Sequence, residues 1–138
     1  MGKKPFDPDL YDADDDAKHL IIDWLFSEDF YAWVNPDKYG IDVLAMRNME
    51  HYGFEVEVKH NWPGRKFPYD TVHFSARKMK FVAPGHYFTM LNDDRSCVLV
   101  VDDETMASAR VVSKNTKYTT AEQFLEVSVR HCPVFRLD

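Results

Sequence analysis

Gly53-Phe54-Glu55-Val56-Glu57-Val58-Lys59 alternates apolar and polar residues without a fault. Alternate side chains of an extended strand point the same way. The stretch therefore predicts a strand with Phe54, Val56 and Val58 on one face and Glu55, Glu57 and Lys59 on the other. Upstream, residues 39–46 (Tyr39-Gly40-Ile41-Asp42-Val43-Leu44-Ala45-Met46) also read as a strand, and the polar segment Arg47–Tyr52 is short enough to be a hairpin connection. Centring that hairpin on Met49 and Glu50 sets Asp42 opposite Glu57. Directly opposed side chains stand about 4.5–5.5 Å apart at Cβ, so two carboxylates and the Lys59 ammonium would share one face. Carboxylates that close repel unless a cation lies between them. Hard oxygen ligands suit Mg²⁺, which takes one or two carboxylates together with water and substrate phosphate. A lysine two residues on reaches the same water shell, where it can orient an attacking water or share charge developing on a phosphodiester.

Working outward, Ala17, Leu20, Ile21, Trp24 and Leu25 fall at helical spacing behind Asp14-Asp15-Asp16. An acidic N-terminus suits the helix dipole, so the spacing predicts a helix over 15–32, ended by Asn35-Pro36. Residues 1–13, with Pro5, Pro8 and several Asp, read as an acidic extended leader. Trp62-Pro63-Gly64 marks a turn, and residues 69–80 predict a second helix. His86–Leu91 and Cys97–Val101 predict strands, the latter continuously apolar and so central in its sheet. Asp103–Ala109 predicts a short helix, 110–112 an extended piece, and Phe124–Val129 a strand. The fold class expected is α/β, with a mixed central sheet of four to five strands flanked by helices. It forms a single domain over 1–138, with a core at 15–101 and residues 102–138 completing the sheet.

The 138 residues carry a net charge of −6, which argues against a protein that coats nucleic acid by bulk electrostatics. The charge is unevenly spread. Between Lys59 and Lys80 stand Lys59, Arg65, Lys66, Arg77, Lys78 and Lys80 with Asp70 as the sole acid, a window of +5 in a body of −11. A basic strip directly after the carboxylate strand is what a phosphate backbone would need. Trp62 and Phe67-Pro68 interleave with it, and they suit either stacking on a base or packing on the core. His60 and His73 are near enough in sequence to contact phosphate or act as auxiliary acids, and equally suit ordinary surface positions. Cys97 and Cys132 have no metal or redox spacing and read as reduced core thiols of a cytoplasmic protein. No Walker loop, GxGxxG, GxSxG or zinc spacing occurs, and no apolar run is long enough to span a bilayer.

The order helix, strand with Asp, hairpin, alternating strand with Glu-x-Lys, then a basic segment resembles the PD-(D/E)xK superfamily of nucleases, which share the restriction-endonuclease-like core. Asp42 matches the Asp of its motif, with Ile41 in the place of the frequent Pro, and Glu57 and Lys59 match the Glu and Lys. The resemblance implies a Mg²⁺-dependent endonuclease, with Mn²⁺ able to substitute, acting on nucleic acid and on DNA first. Asp42 and Glu57 would hold the metal with the Val58 carbonyl, Lys59 would help activate water, and Arg77, Lys78, Lys66 and Arg65 would bind the substrate. Glu55 would be an auxiliary to the metal shell, beside His60 and His73. The exonuclease signature QxxxY is absent. A domain of this size would take its specificity from a homodimer, a protein partner or the shape of its substrate. The competing reading is a catalytically inactive module of the same fold that binds nucleic acid or a protein partner. It draws on the 9 acids against 3 bases in residues 1–30.

Overall fold

The computed structural model describes residues 8–118 and 120–137, with the side chains of 8–14 left aside. Helix α1 (Pro8–Ser27) buries Ala17, Ile21 and Leu25, one stripe at a spacing of four. It starts at Pro8, where a missing N–H costs nothing in a first helical turn, so the extended leader expected over 1–13 fails for 8–13. Residues 1–7 lie outside the described residues. The helix also ends earlier than its apolar period suggests. Asp29 takes a left-handed backbone (φ 67°) and reverses the chain into strand β1 (Tyr31–Val34), so residues 31–32 are strand rather than helix.

A hairpin follows, β2 (Val43–Arg47) and β3 (Glu50–Val58). Residues 39–41 belong to a turn instead of to β2, because the Asn35 side chain donates to the Ile41 carbonyl at 2.9 Å and Gly40 N–H donates to the Asp37 carbonyl. After β3 the chain forms β4 (Thr71–Ser75) and a 3-10 helix (Ala76–Phe81), where residues 69–80 predicted an α-helix. The winning period is two: Val72 and Phe74 are fully buried while Thr71, His73 and Ser75 are not, and the 3-10 turn buries nothing. Strands β5 (His86–Leu91) and β6 (Cys97–Val101) match their prediction. Helix α2 (Asp103–Ala107) is capped by Asp102, whose carboxylate accepts from Thr105 N–H at 2.8 Å. Strands β7 (Arg110–Lys114), β8 (Glu122–Ser128) and the three-residue β9 (Val134–Arg136) complete the chain.

The strands make two sheets, one of six in the order β1-β2-β3-β5-β6-β9 and one of three in the order β4-β8-β7. The central sheet is mixed, with β3 and β5 parallel and its other pairs antiparallel. It is larger than the four to five strands expected. Only one of its faces is covered by α1, since the small sheet, rather than a second helix, packs on the other. Each face has its own apolar cluster. Ile21, Leu25, Val43, Phe54, Val98 and Val100 fill the space under α1, and Phe74, Phe88, Leu99, Val101, Leu125 and Trp62 fill the space under the small sheet. Strand β6 contributes alternate residues to both, which is why it reads as continuously apolar. Cys97 and Cys132 are free thiols in the second cluster, and burial pushes Cys132 up to about 11, far from its reactive form.

Candidate active site

Face and register have separate fates in the hairpin. Glu55, Glu57 and Asp42 do share a face of the sheet, as the alternation of β3 requires. The register is shifted by two, because the connection is a two-residue turn, Asn48-Met49, with Arg47 paired to Glu50. Both turn residues have positive φ, 52° and 66°, the geometry that matches strand twist in the tightest hairpins. Val43 therefore lies beside Phe54, and Asp42 faces Glu55 instead of Glu57.

Asp42 and Glu55 are locked by reciprocal backbone bonds. Asp42 N–H donates to Glu55 Oε2 at 3.0 Å, and Val56 N–H donates to Asp42 Oδ2 at 2.9 Å. Thr89 Oγ1 on the parallel neighbour β5 donates to the Glu55 carbonyl at 2.6 Å. The cation at this cluster is Lys78, from the 3-10 helix: its Nζ lies 3.0 Å from Glu55 Oε1 and 3.2 Å from Glu57 Oε1. Lys18 of α1 approaches Asp42 Oδ1 at 3.6 Å. Glu55 is 4% exposed. Burial lifts its carboxyl above the ordinary range, Lys78 pulls it back, and Asp42 pushes it up further. Burial alone would lower Lys78, but Glu57 and Glu55 outweigh it and hold the ammonium above its usual value. The result is a buried carboxylate beside a firmly charged amine.

The group opens into a cleft of about 340 Å³ whose lining includes Lys18, Lys38, Asp42, Glu55, Arg77 and Lys80. Arg77 and Lys78 both line this cleft. Arg65 and Lys66 do not line it, and the Lys66 carbonyl instead accepts the Trp62 indole N–H at 3.1 Å. Trp62 is fully buried against Phe67, so core packing is the role it takes. Lys59 leaves the cluster. Its ammonium lies over the Tyr69 ring, 5.3 Å from the centroid, and forms no ion pair with Glu57 among the described residues. Burial holds it below its usual value, Lys114 adds to that, and Glu57 opposes. His60 pairs with Asp93 at 3.0 Å, and His73 with Glu126 at 2.7 Å, so neither histidine is directed at the carboxylates. Lys18 and Lys38 had no signal in the sequence, since their approach to Asp42 depends on how α1 and the turn at 35–40 cross the sheet.

As a metal site, Asp42 and Glu55 offer hard oxygen donors, and Val56 lines the same cleft. Among the described residues no group of three or more His, Cys, Asp or Glu is poised around one point. That donor set fits a cation which keeps most of its water and completes its shell on substrate, as Mg²⁺ does, and does not fit an all-protein cage.

No protein family and no curated protein matches the chain by sequence. A solved structure matches it in fold: Hjc, a Holliday junction resolvase from the archaeal hyperthermophile Archaeoglobus fulgidus, aligns with a TM-score of 0.54 at 11% identity, over 84% of this chain and 84% of that one. No helix among the described residues is long and apolar enough to cross a membrane. At 11% identity the likeness to the resolvase lies in the course of the backbone, and it gives this protein the restriction-endonuclease-like fold that its sequence resembles.

Proposed function

We propose that the protein is a divalent-metal-dependent endonuclease that hydrolyses phosphodiester bonds of nucleic acid, DNA in the first place. One observation carries this reading: on a nuclease fold, Asp42, Glu55, Glu57 and Lys78 converge at the mouth of a cationic cleft. Asp42 and Glu55 would hold Mg²⁺ or Mn²⁺ with the Val56 carbonyl. When bound, such an ion polarises a phosphoryl oxygen and lowers the pKa of its water. Lys78 is the group placed to orient the attacking water and to meet the charge that grows on the phosphorane-like oxygens. Glu57 keeps that ammonium in position. Arg77 and Lys80, with Lys38, supply the cations that seat the substrate phosphates. Lys78 therefore takes the part that the Glu-x-Lys spelling gave to Lys59, and Glu55 the part it gave to Glu57.

The test is a panel of linear, nicked, branched and single-stranded substrates incubated with Mg²⁺, Mn²⁺ or EDTA. Cleavage is expected with metal only, and it should vanish in Asp42→Asn and Glu55→Gln. Undiminished cutting by both variants, or no cutting of any substrate by the wild type, overturns the proposal. The second reading, a module that binds without turnover, is favoured by one feature: Lys78 already neutralises Glu55 and Glu57. Calorimetric titration with Mn²⁺ separates the two, since only the enzyme needs a metal affinity that Asp42→Asn removes.

A further inference from the structure

Tyr39 is the most exposed Tyr, Phe or Trp among the described residues, at 79%. Its backbone, by contrast, is fixed. Asn35 Oδ1 accepts from Asp37 N–H, Asp37 Oδ1 accepts from Tyr39 N–H, and the Asp37 carbonyl accepts from Gly40 N–H, each at 3.0 Å. Asn35 N–H closes the turn by donating to the Asp42 carbonyl at 3.0 Å. A Cβ at position 40 would come within 2.5 Å of Asn35 Nδ2, so glycine alone fits beside the tyrosine. The Tyr39 hydroxyl makes no hydrogen bond among the described residues, and the group over its ring is a cation, Lys38 Nζ, 5.6 Å from the centre.

This turn belongs to the site. Lys38, Tyr39 and Gly40 line the same cleft as Asp42, Glu55 and Arg77. Of the exposed aromatic residues among those described, Tyr39 alone lines it. Phe81, the other aromatic residue of the lining, packs against the core under the small sheet instead. An open ring on a fixed turn keeps its apolar surface in water until a flat partner covers it. The cations beside it select a partner that carries phosphate, and the flat group that accompanies phosphate in nucleic acid is a base. In a duplex each base is already stacked, and freeing one costs stacking and pairing free energy. An unpaired base is free of that cost.

We infer that Tyr39 is a stacking platform for an unpaired base at the mouth of the cleft, so that the site prefers a strand with an unpaired nucleotide over fully paired duplex. This rests on the nucleic-acid reading above and narrows its substrate class. The ring takes the base, Lys38 meets the phosphate of the same nucleotide, and Arg77 and Lys80 seat the phosphates that lead on to Asp42 and Glu55. Asn35 and Asp37 are positioning residues, which hold the turn in place through the backbone on either side of the ring. Because every base has a flat face, the platform reads whether a base is paired and not which base it is.

The experiment measures fluorescence anisotropy in EDTA of a labelled single strand and of the blunt duplex of the same sequence, for the wild type, Tyr39→Ala and Tyr39→Phe. The alanine variant is expected to bind the single strand about 5- to 100-fold more weakly, the loss of one stacked base, and to leave duplex affinity unchanged. Phenylalanine keeps the ring and removes the hydroxyl, so it should restore single-strand binding. A fluorescent adenine analogue in the strand, whose emission stacking quenches, should dim on the wild type and stay bright on Tyr39→Ala. Loss on both substrates, on the duplex alone or on neither overturns the platform, and so does a wild type that binds no single strand. A wild type that shows the expected selectivity but cuts nothing with Mg²⁺ or Mn²⁺ removes the nuclease reading and leaves the platform standing. One that cuts while Tyr39→Ala binds both substrates as the wild type does has the reverse effect.

Discussion

Glu55 on β3 and Lys59 just past its end stand four residues apart, yet the molecule treats the charge at these two places in opposite ways. At the first, carboxylates outnumber cations at close range: Asp42, Glu55 and Glu57 gather around Lys78, with Lys18 at the edge. At the second, Lys59 rests on the Tyr69 ring and makes no ion pair with a carboxylate among the described residues. The two positions lie on one continuous stretch of chain. What differs is what is laid against it, a 3-10 turn that brings Lys78 in one case and the Tyr69 ring in the other. A site of this kind is set by the partners of a strand more than by its own spelling.

The largest effect that could break the contrast is catalytic. Asp42→Asn and Glu55→Gln should each lower the cleavage rate by on the order of 10²–10³-fold or more, read in single-turnover assays on the preferred substrate. The next is energetic. Lys78→Met strands the buried Glu55 carboxylate, and chemical denaturation should show a loss of about 3 kcal/mol. Lys59→Met strands nothing, and its unfolding free energy should stay within about 0.5 kcal/mol of the wild type. Equal losses in these two variants would mean that the surroundings of Glu55 and of Lys59 are not different in kind.

A smaller effect sharpens the register on which the contrast depends. Met49 sits in a left-handed conformation that only glycine adopts freely, so Met49→Gly should stabilise the hairpin by about 1 kcal/mol in thermal unfolding. The smallest concerns pH. The His73 and Arg110 hydrogen bonds hold Glu126 below the usual carboxylate range. A depressed acid contributes stability that is complete above its unfolded pKa and is lost as pH falls through its folded one. The melting-temperature difference between wild type and Glu126→Gln should be constant near neutrality and close to nothing at the acid end of the titration. A difference that persists there would show that the charge of Glu126 is not what holds this face.

Period-two patterning makes β3 legible, and with it the shared face of Glu55, Glu57 and Asp42, while an unbroken apolar run does the same for β6. It could not reveal the register. Met49 is an unusual residue for the second place of a tight turn, and a shift of two residues leaves every side chain on its expected face. That is why the Glu57-x-Lys59 spelling was read in place of Asp42 with Glu55, thirteen residues apart. Lys78 was legible as a basic residue near the site, but its central place was not, because residues 69–80 carry enough mixed apolar character to pass for a helix. The strand at 71–75 packs Phe74 on Phe88 and pairs it with Leu125 of β8, and contacts across fifty residues leave no local trace. The basic strip was sound as arithmetic and misleading as geometry, since Arg77 and Lys78 face the cleft while Arg65 and Lys66 do not.

The parallel pairing of β3 with β5 has a consequence for the order of assembly. The excursion between these strands, residues 59–85, holds both β4 and the turn that carries Lys78, and β4 is paired to β8, with Phe74 beside Leu125. On a ribosome the Asp42–Glu55 hairpin is complete early, whereas the strand that steadies Lys78 must wait for the last fifth of the chain. Until then a nascent molecule carries its carboxylates without their amine. Non-local closure of this kind is slow, so the ion pairs of Lys78 depend on a late-made part of the chain.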